Sequence, residues 1–516
     1  EVDQSREKSK LKENEVQEDE VNEKIDVESD IFQERQDSQD FHYTEGQKNV
    51  LSKIADYLGS KIENIKENYF VFAGYAGTGK TTIVENIANY AKKQGMSVYV
   101  AAPTNKAVLR LDEKRQEELE DPNKPRYDAA LQTLHVILYG SPDEHGIWVP
   151  KTADMDESTL VIIDEASMIS VDVWNDIQKY ISPTGAKIIL IGDGFQLPPV
   201  GGESQDPHLM DRFINKGYQL VNVVRQAAES GIIKWATALR VNKSILYPNE
   251  STDDVVILEE KELLEKYYND IINNEDSIVI VSTNRDRTRI NSSARQRKFG
   301  ENASINLVND GEHLIVVNNS KFKRKNGETF IYEGNDILPS EVIEIEYVEK
   351  LVWNEETRQK DIPVYQKTNI YAFKDKDGNP ILVAPELETA SLHGGSITLA
   401  DKLKGQDDMG KLGKAFPDHV IFNSKTGKHQ FSDMTNVVTY GYAITAHKSQ
   451  GSEWKNIYVA KDFGWAKFMD DEGKARWLYT AITRASDNLY FNKDLITNGA
   501  SWGEIQFVMN RAGAVE

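Results

Sequence analysis

The 516-residue chain contains no cysteine, which excludes disulfide staples and thiolate-held zinc or iron–sulfur centres and fits a cytosolic protein. No apolar run approaches the roughly eighteen residues of a membrane span, and the start lacks a secretory leader pattern. Positive charge is in short supply: 61 Lys and Arg face 83 Asp and Glu, a formal charge of −22. That balance argues only weakly against a nucleic-acid partner, because contacts are governed by fields within a Debye length of roughly 8–10 Å. Much of the acid is also segregated. Residues 1–40 hold 15 Asp or Glu against 6 Lys or Arg with few aromatics, a composition expected of a disordered tail or frayed helix.

What is present begins with length. A chain of this size exceeds one ordinary core and predicts two to four domains. The clearest feature lies at 69–82, a short apolar strand, a glycine-rich turn and the start of an amphipathic helix with Ile83, Ile87 and Ala91 on one face. Gly74, Gly79, Lys80 and Thr81 fit G-x-x-x-x-G-K-[ST], the phosphate-binding P-loop. The turn from Gly74 through Ala76, Gly77, Thr78 and Gly79 to Thr82 would aim backbone N–H groups at the phosphates of ATP, with the helix dipole behind them. Lys80 would reach the β- and γ-phosphates, and the Thr81 hydroxyl would sit on Mg²⁺.

Further strands carry polar groups at their carboxyl ends, where open α/β sheets bind ligands. The run 97–102 leads to Thr104 and Asn105. The run 160–163 ends in Asp164 and Glu165, an acidic pair suited to holding Mg²⁺ (Asp164) and orienting the attacking water (Glu165); a solvated helix start is the plainer alternative. The run 187–191 precedes a loop carrying Gln196, whose amide could touch a γ-phosphate. Arg225 follows another apolar run, as a charge-neutralising group or an ordinary surface arginine. Gln47 completes a capping box with Thr44, or reads an adenine edge. Residues 139–149 look like a hairpin bearing Tyr139 and Trp148.

A second α/β unit starts with the apolar run 277–282. The basic stretch 285–298 beyond it is either a solvated helix face or a phosphate-contacting one. Residues 303–430 change to alternating Ile, Val, Tyr and Thr with turn signals, including Asp377-Gly378, and predict an inserted β-rich domain. The α/β pattern resumes at 437 and closes through 477–491.

Taken in order, Gly-Tyr-Ala-Gly-Thr-Gly-Lys-Thr, Ala-Pro-Thr-Asn-Lys-Ala, Thr-Leu-His, Ile-Asp-Glu-Ala-Ser-Met and Gly-Asp-Gly-Phe-Gln-Leu-Pro-Pro come first. Val-Arg-Gln, Ala-His-Lys-Ser-Gln-Gly-Ser-Glu and Tyr-Thr-Ala-Ile-Thr-Arg-Ala follow. Over residues 41–495 this series resembles the RecD/Dda-like branch of superfamily 1 DNA helicases, with the Dda type nearest in size and layout. The resemblance implies an α/β fold with two RecA-like P-loop NTPase domains, parallel-sheeted, with a β-hairpin pin insertion and an SH3-like β-rich insertion. Its layout would be 41–230 for the first domain with the pin at about 112–156, 231–302 and 431–516 for the second, and 303–430 for the insert. It implies roles too. Gln47 would read adenine, and Lys80, Thr81, Asp164 and Glu165 would form the hydrolytic set with Gln196 as γ-phosphate sensor. Arg225 and Arg484 would complete the site, Gln450 and Glu453 would contact the nucleotide sugar, and Thr104, Asn105, His135, Thr445 and His447 would touch the strand. The implied partners are single-stranded and partial-duplex DNA, and replication or recombination proteins such as a single-strand-binding protein; the implied state is monomeric, with no membrane. The implied activity is ATP-dependent unwinding with 5′→3′ translocation. An ATP-switched single-strand-binding protein and an RNA helicase stand as alternatives, and a nucleotide kinase has no use for the second α/β half.

Overall fold

The computed structural model describes residues 43–511 except 62–67, 105–106, 109, 113–114, 116–128, 141–151, 153, 199–216, 222–228, 306–307, 317–319, 324–328, 333–336, 355–357, 375–379, 386–419, 424–427, 432–435, 462–468 and 497–498. The acidic tail, most of the expected pin, Asn105 and Arg225 therefore lie outside the described residues.

In the first half, β1 (Tyr69–Gly74), β2 (Ser97–Ala102), β3 (Ala130–Thr133), β4 (Thr159–Ile163), β5 (Lys187–Gly192) and β6 (Tyr218–Leu220) form one parallel sheet in the order β3-β2-β4-β5-β1-β6. Strand period two divides its core between the faces. Phe72, Val100, Ile162 and Ile189 pack under α1 (Glu45–Gly59) and α2 (Lys80–Lys93). Val71, Ala101, Val161 and Ile188 pack under α3 (Leu134–Tyr139) and α4 (Val171–Tyr180). With both faces covered, β4 and β5 are buried along their whole length, so their sequences read as unbroken apolar runs. The exception, Lys187 at the start of β5, donates to the carbonyls of Tyr57, Leu58 and Ser60 at 2.6–2.7 Å and so caps the end of α1.

The second half repeats the plan. After the two-residue β7 (Tyr247–Pro248), β8 (Val255–Leu258) and β9 (Ser277–Val281) join β19 (Ala443–Thr445), β20 (Trp454–Val459) and β21 (Ala485–Asn492) in a parallel sheet ordered β19-β9-β20-β21-β8. Ile278, Ile457 and Phe491 face α5 (Gly231–Asn242) and α9 (Asp471–Ile482). Val279, Tyr458 and Tyr490 face α6 (Glu260–Ile272) and α7 (Asn284–Phe299). The short α8 (Asn302–Ile305) follows α7, and α10 (Trp502–Arg511) packs on α5 beside a ladder of β22 (Gly499–Ala500) with β7.

Between β9 and β19, β10 (His313–Val316), β13 (Ile337–Asn354), β14 (Gln359–Lys374), β15 (Pro380–Pro385) and β18 (Asn436–Tyr440) close into a barrel. Two hairpins accompany it, β11 (Ser320–Lys323) with β12 (Thr329–Tyr332) and β16 (Val420–Asn423) with β17 (Lys428–Phe431). The closing strand β18 lies beyond residue 430, so the β-rich insert runs past its expected end. The insert is rooted on α7. Asn291 donates to the Tyr440 carbonyl at 3.0 Å and accepts from the N–H groups of Tyr442 and Ala443 at 3.1 and 2.9 Å. Arg295 pairs with the buried Glu312 and stacks 3.9 Å from the Tyr440 ring centre. The basic stretch 285–298 is thus partly internal: Arg287 and Arg295 are buried, and Arg297 pairs with Glu265.

Candidate active site

One cavity of about 480 Å³ lies where the two halves meet. From the first half it is lined by Ala76, Gly77, Thr78, Gly79, Lys80 and Thr81, by Asp164 and Glu165, by Asp193 and Gln196, and by Ala107, Arg110 and Leu111. From the second half come Gly451, Glu453, Thr483 and Arg484. Gly77 and Gly79 adopt φ of 74° and 75°, the left-handed turns that let the loop wrap. Gly74 is required by space: a Cβ there would lie 2.6 Å from the Thr78 hydroxyl. Gln47 holds the loop from behind, donating to the Thr78 carbonyl at 3.0 Å while accepting from Thr44 N–H at 2.9 Å. Its capping box is formed, and both ends of its amide are taken by the protein.

Burial lowers the pKa of the Lys80 ammonium, against the pull of Asp193, Glu165 and Asp164. Its Nζ donates to the carbonyls of Gly74 and Tyr75, each at 3.0 Å. Asp164 is pushed up to about 6, first by burial and then by the neighbouring Glu165 carboxylate. Glu165 has a φ of 50°, a sparsely populated backbone state that costs about 1–3 kcal/mol and marks the turn presenting its side chain to the cavity. One Glu165 oxygen is buried without a partner. An all-oxygen set of Thr81, Asp164 and Glu165 with an unsatisfied carboxylate oxygen fits a hard cation. Among the described residues no group of three or more His, Cys, Asp or Glu converges as a metal cage, so Mg²⁺ here would draw on waters and phosphate oxygens as well.

Gln196 is buried with its Oε1 unpartnered, an acceptor aimed at the cavity. Arg484 is 4% exposed and is held by the carbonyls of Thr480 and Ser452 at 3.1 and 3.3 Å. Burial lowers its pKa, with Glu165 opposing. Glu453 forms an ion pair with Arg110 across the cleft, and Gln450 donates to the Leu197 carbonyl at 2.7 Å, outside the cavity lining.

The expected strand-contacting residues fall just beyond or at the carboxyl ends of strands. Thr104 follows β2, His135 opens α3 after β3, and Thr445 and His447 lie at the end of β19. The edges of the two halves approach one another there, since a Cβ on Gly451 would stand 3.0 Å from the Thr104 hydroxyl. Tyr139 corrects the sequence reading. It closes α3 and bonds Asp176, because Gly140 with its positive φ ends the helix where a hairpin strand was expected.

Sequence reasoning missed Asp193, Arg240, Tyr479 and Arg110. Asp193 pairs with Arg240 of α5 and accepts from the Tyr479 hydroxyl of α9; both aspartate and arginine are buried. A signal existed for two of them. Asp193 follows β5 as Asp164 follows β4, and Arg240 is a lone arginine on a helix buried almost all round.

Comparisons with known proteins match this layout. Residues 43–255 match the AAA domain family, and 440–491 match the UvrD-like helicase C-terminal domain. The RecD subunit of the RecBCD enzyme from Buchnera aphidicola subsp. Schizaphis graminum is 25% identical over 493 residues, 87% of this chain and 73% of its own length. The ATP-dependent RecD2 DNA helicase of Deinococcus radiodurans is 30% identical over 198 residues, 38% of this chain and 24% of that protein. Among solved structures, a Pif1 helicase from Bacteroides in complex with ADP-AlF3 and ssDNA aligns over 92% of this chain and 97% of its own, at 18% identity and a TM-score of 0.40. With matches to an AAA domain and a UvrD-like helicase C-terminal domain in that order, and a RecD subunit aligned along most of its length, the chain is similar to the RecD-like helicases of superfamily 1.

Proposed function

We propose that the protein is an ATP-dependent DNA helicase that moves 5′→3′ along single-stranded DNA and unwinds partial duplexes. The observation that carries this reading is the shared cavity, in which the P-loop and acidic pair of one half face Arg484 of the other. A triphosphate in that space would contact both halves, so its hydrolysis would change the force holding them together. Lys80 and the loop amides bind the phosphates, Glu165 orients or deprotonates the attacking water, Gln196 senses the γ-phosphate through that water, whose O–H can donate to its free Oε1, and Arg484 meets the γ-phosphate charge. Thr81 and Asp164 would hold Mg²⁺, which supplies neutralisation of the phosphate oxygens when bound. Thr104 and His135 on one half, with Thr445 and His447 on the other, give each a grip on the strand. Alternating grips then turn opening and closing into steps. Arg225, Asn105 and the pin remain part of this reading from the sequence resemblance alone, as do a monomeric state, cytoplasmic location and work beside replication or recombination proteins.

The test is ATPase activity with and without single-stranded DNA, followed by unwinding of duplexes carrying a 5′ or a 3′ tail. Strong stimulation by the strand, unwinding from the 5′ tail and loss of both in Lys80→Ala are expected. A rate indifferent to any polynucleotide would refute the motor, and stimulation by RNA alone would move the track to RNA.

A further inference from the structure

Two first-half segments at the phosphate end of the cavity, the P-loop turn and the loop 193–197, are held by second-half side chains. The Tyr479 hydroxyl accepts from Ala76 N–H of the P-loop at 3.0 Å and donates to Asp193. The Arg240 guanidinium pairs with Asp193 and lies 4.2 Å from the centre of the Tyr75 ring. Asp193 in turn accepts from Phe195 N–H at 3.1 Å, which shapes the loop leading to Gln196. Both flanks of Gln196 are gripped as well. Arg476 donates to the Gly194 carbonyl at 2.6 Å, and Thr480 accepts from Leu197 N–H at 2.9 Å. Arg476, Tyr479 and Thr480 stand at i, i+3 and i+4, one face of α9, and that helix ends just before Arg484.

We propose that Tyr479 and Arg240, meeting on Asp193, are positioning residues that fix the P-loop turn and the Gln196 loop at the spacing from Arg484 that hydrolysis requires. This rests on the assignment of the cavity to ATP hydrolysis. The choice of chemistry argues for it. A buried ion pair holds two surfaces together no better than well-packed apolar groups of the same volume, so its use here favours fixed geometry over adhesion. Its members also touch the P-loop and the sensor loop while leaving the Gln196 acceptor free for a ligand.

Tyr479→Phe removes one hydroxyl and keeps the ring. Its melting temperature is expected to stay close to wild type while kcat for ATP falls about 10- to 100-fold, as small misplacements of reacting groups do. KM for ATP and affinity for oligodeoxythymidylate are expected to stay within about threefold, the signature of an interaction needed for turnover rather than binding. An unchanged kcat overturns the proposal. Arg240→Met strands the Asp193 charge and is expected to melt lower, while Asp193→Asn combined with Arg240→Met recovers most of the melting temperature but not kcat. If kcat returns together with stability, the network is only structural and the proposal falls. Assaying the wild type with and without the oligonucleotide separates the two levels. Missing stimulation refutes the motor, whereas the effect of Tyr479→Phe on basal kcat still decides the positioning role.

Discussion

β4 and β5 are neighbours in one sheet, and each delivers an aspartate toward the same Lys80 ammonium, yet the two carboxylates are in opposite electrostatic states. Asp164 is pushed up to about 6 by burial and by Glu165 beside it. Burial acts on Asp193 in the same direction, but Arg240 and Lys80, with the Tyr479 hydroxyl bond, outweigh it and hold its pKa below the usual carboxylate range. One strand end is short of positive charge and so suited to receiving a cation. The other is already neutralised by the far half of the molecule, and so suited to joining. The same residue type at the same place on adjacent strands is left short of positive charge or made into a tie by what surrounds it.

Substitutions at four aspartates probe that contrast. Asp164→Asn is expected to cost about a thousandfold or more in kcat, in line with the loss of a preorganised charge at a reacting phosphate. Its melting temperature should be at or above wild type, because a carboxylate crowded against Glu165 is removed; EDTA should silence the wild type to a similar degree. Asp193→Ala should reverse the pattern of stability. Leaving Arg240 buried and unpaired is expected to destabilise by about 3–5 kcal/mol, read by denaturant titration. If the two variants melt alike, the contrast is wrong.

Asp254 offers a milder case. It accepts from Ser230, Gly231 N–H and Ile232 N–H at the start of α5. Burial raises its pKa, but the hydrogen bonds, led by that from Ser230, hold it below the ordinary value. Its stabilisation is therefore present above the unfolded carboxylate pKa and lost as pH falls through the lower folded value. Asp254→Asn should cost about 1–2 kcal/mol near neutral pH, a helix-cap magnitude, with the difference from wild type closing in acid. Asp56, in an exposed pair with Lys53, is the control: Asp56→Asn should move stability by less than about 0.5 kcal/mol.

The legible parts of the site were those whose chemistry is local in sequence. The P-loop packs strand, turn and helix into 14 residues, and the acidic pair directly follows an unbroken apolar run. Strands β1, β2, β4, β5 and β9 could be read for the same reason, since strands covered on two faces announce themselves, whereas β8 and β20 were not singled out. The Asp193 network could not. Its partners lie 47 and 286 positions away, and nothing in an arginine within α5 or a tyrosine within α9 says which carboxylate it will meet. Arg484 was found only because the order of motifs resembled a family. Tyr139 was misread because a turn glycine such as Gly140 serves a helix end as well as a hairpin.

The root of the barrel has a mechanical consequence. β10 and β18 lie side by side, with Leu314 opposite Tyr440, so a segment of more than a hundred residues leaves and re-enters the second half at one point. A graft of that kind can lengthen or shorten without shifting the register of the sheet beneath it, and loop length itself adds little entropic cost. Beside that junction Asn291 and Arg295, one turn apart on α7, bond to its backbone and to Glu312, so the insert's two ends share one helix as their footing.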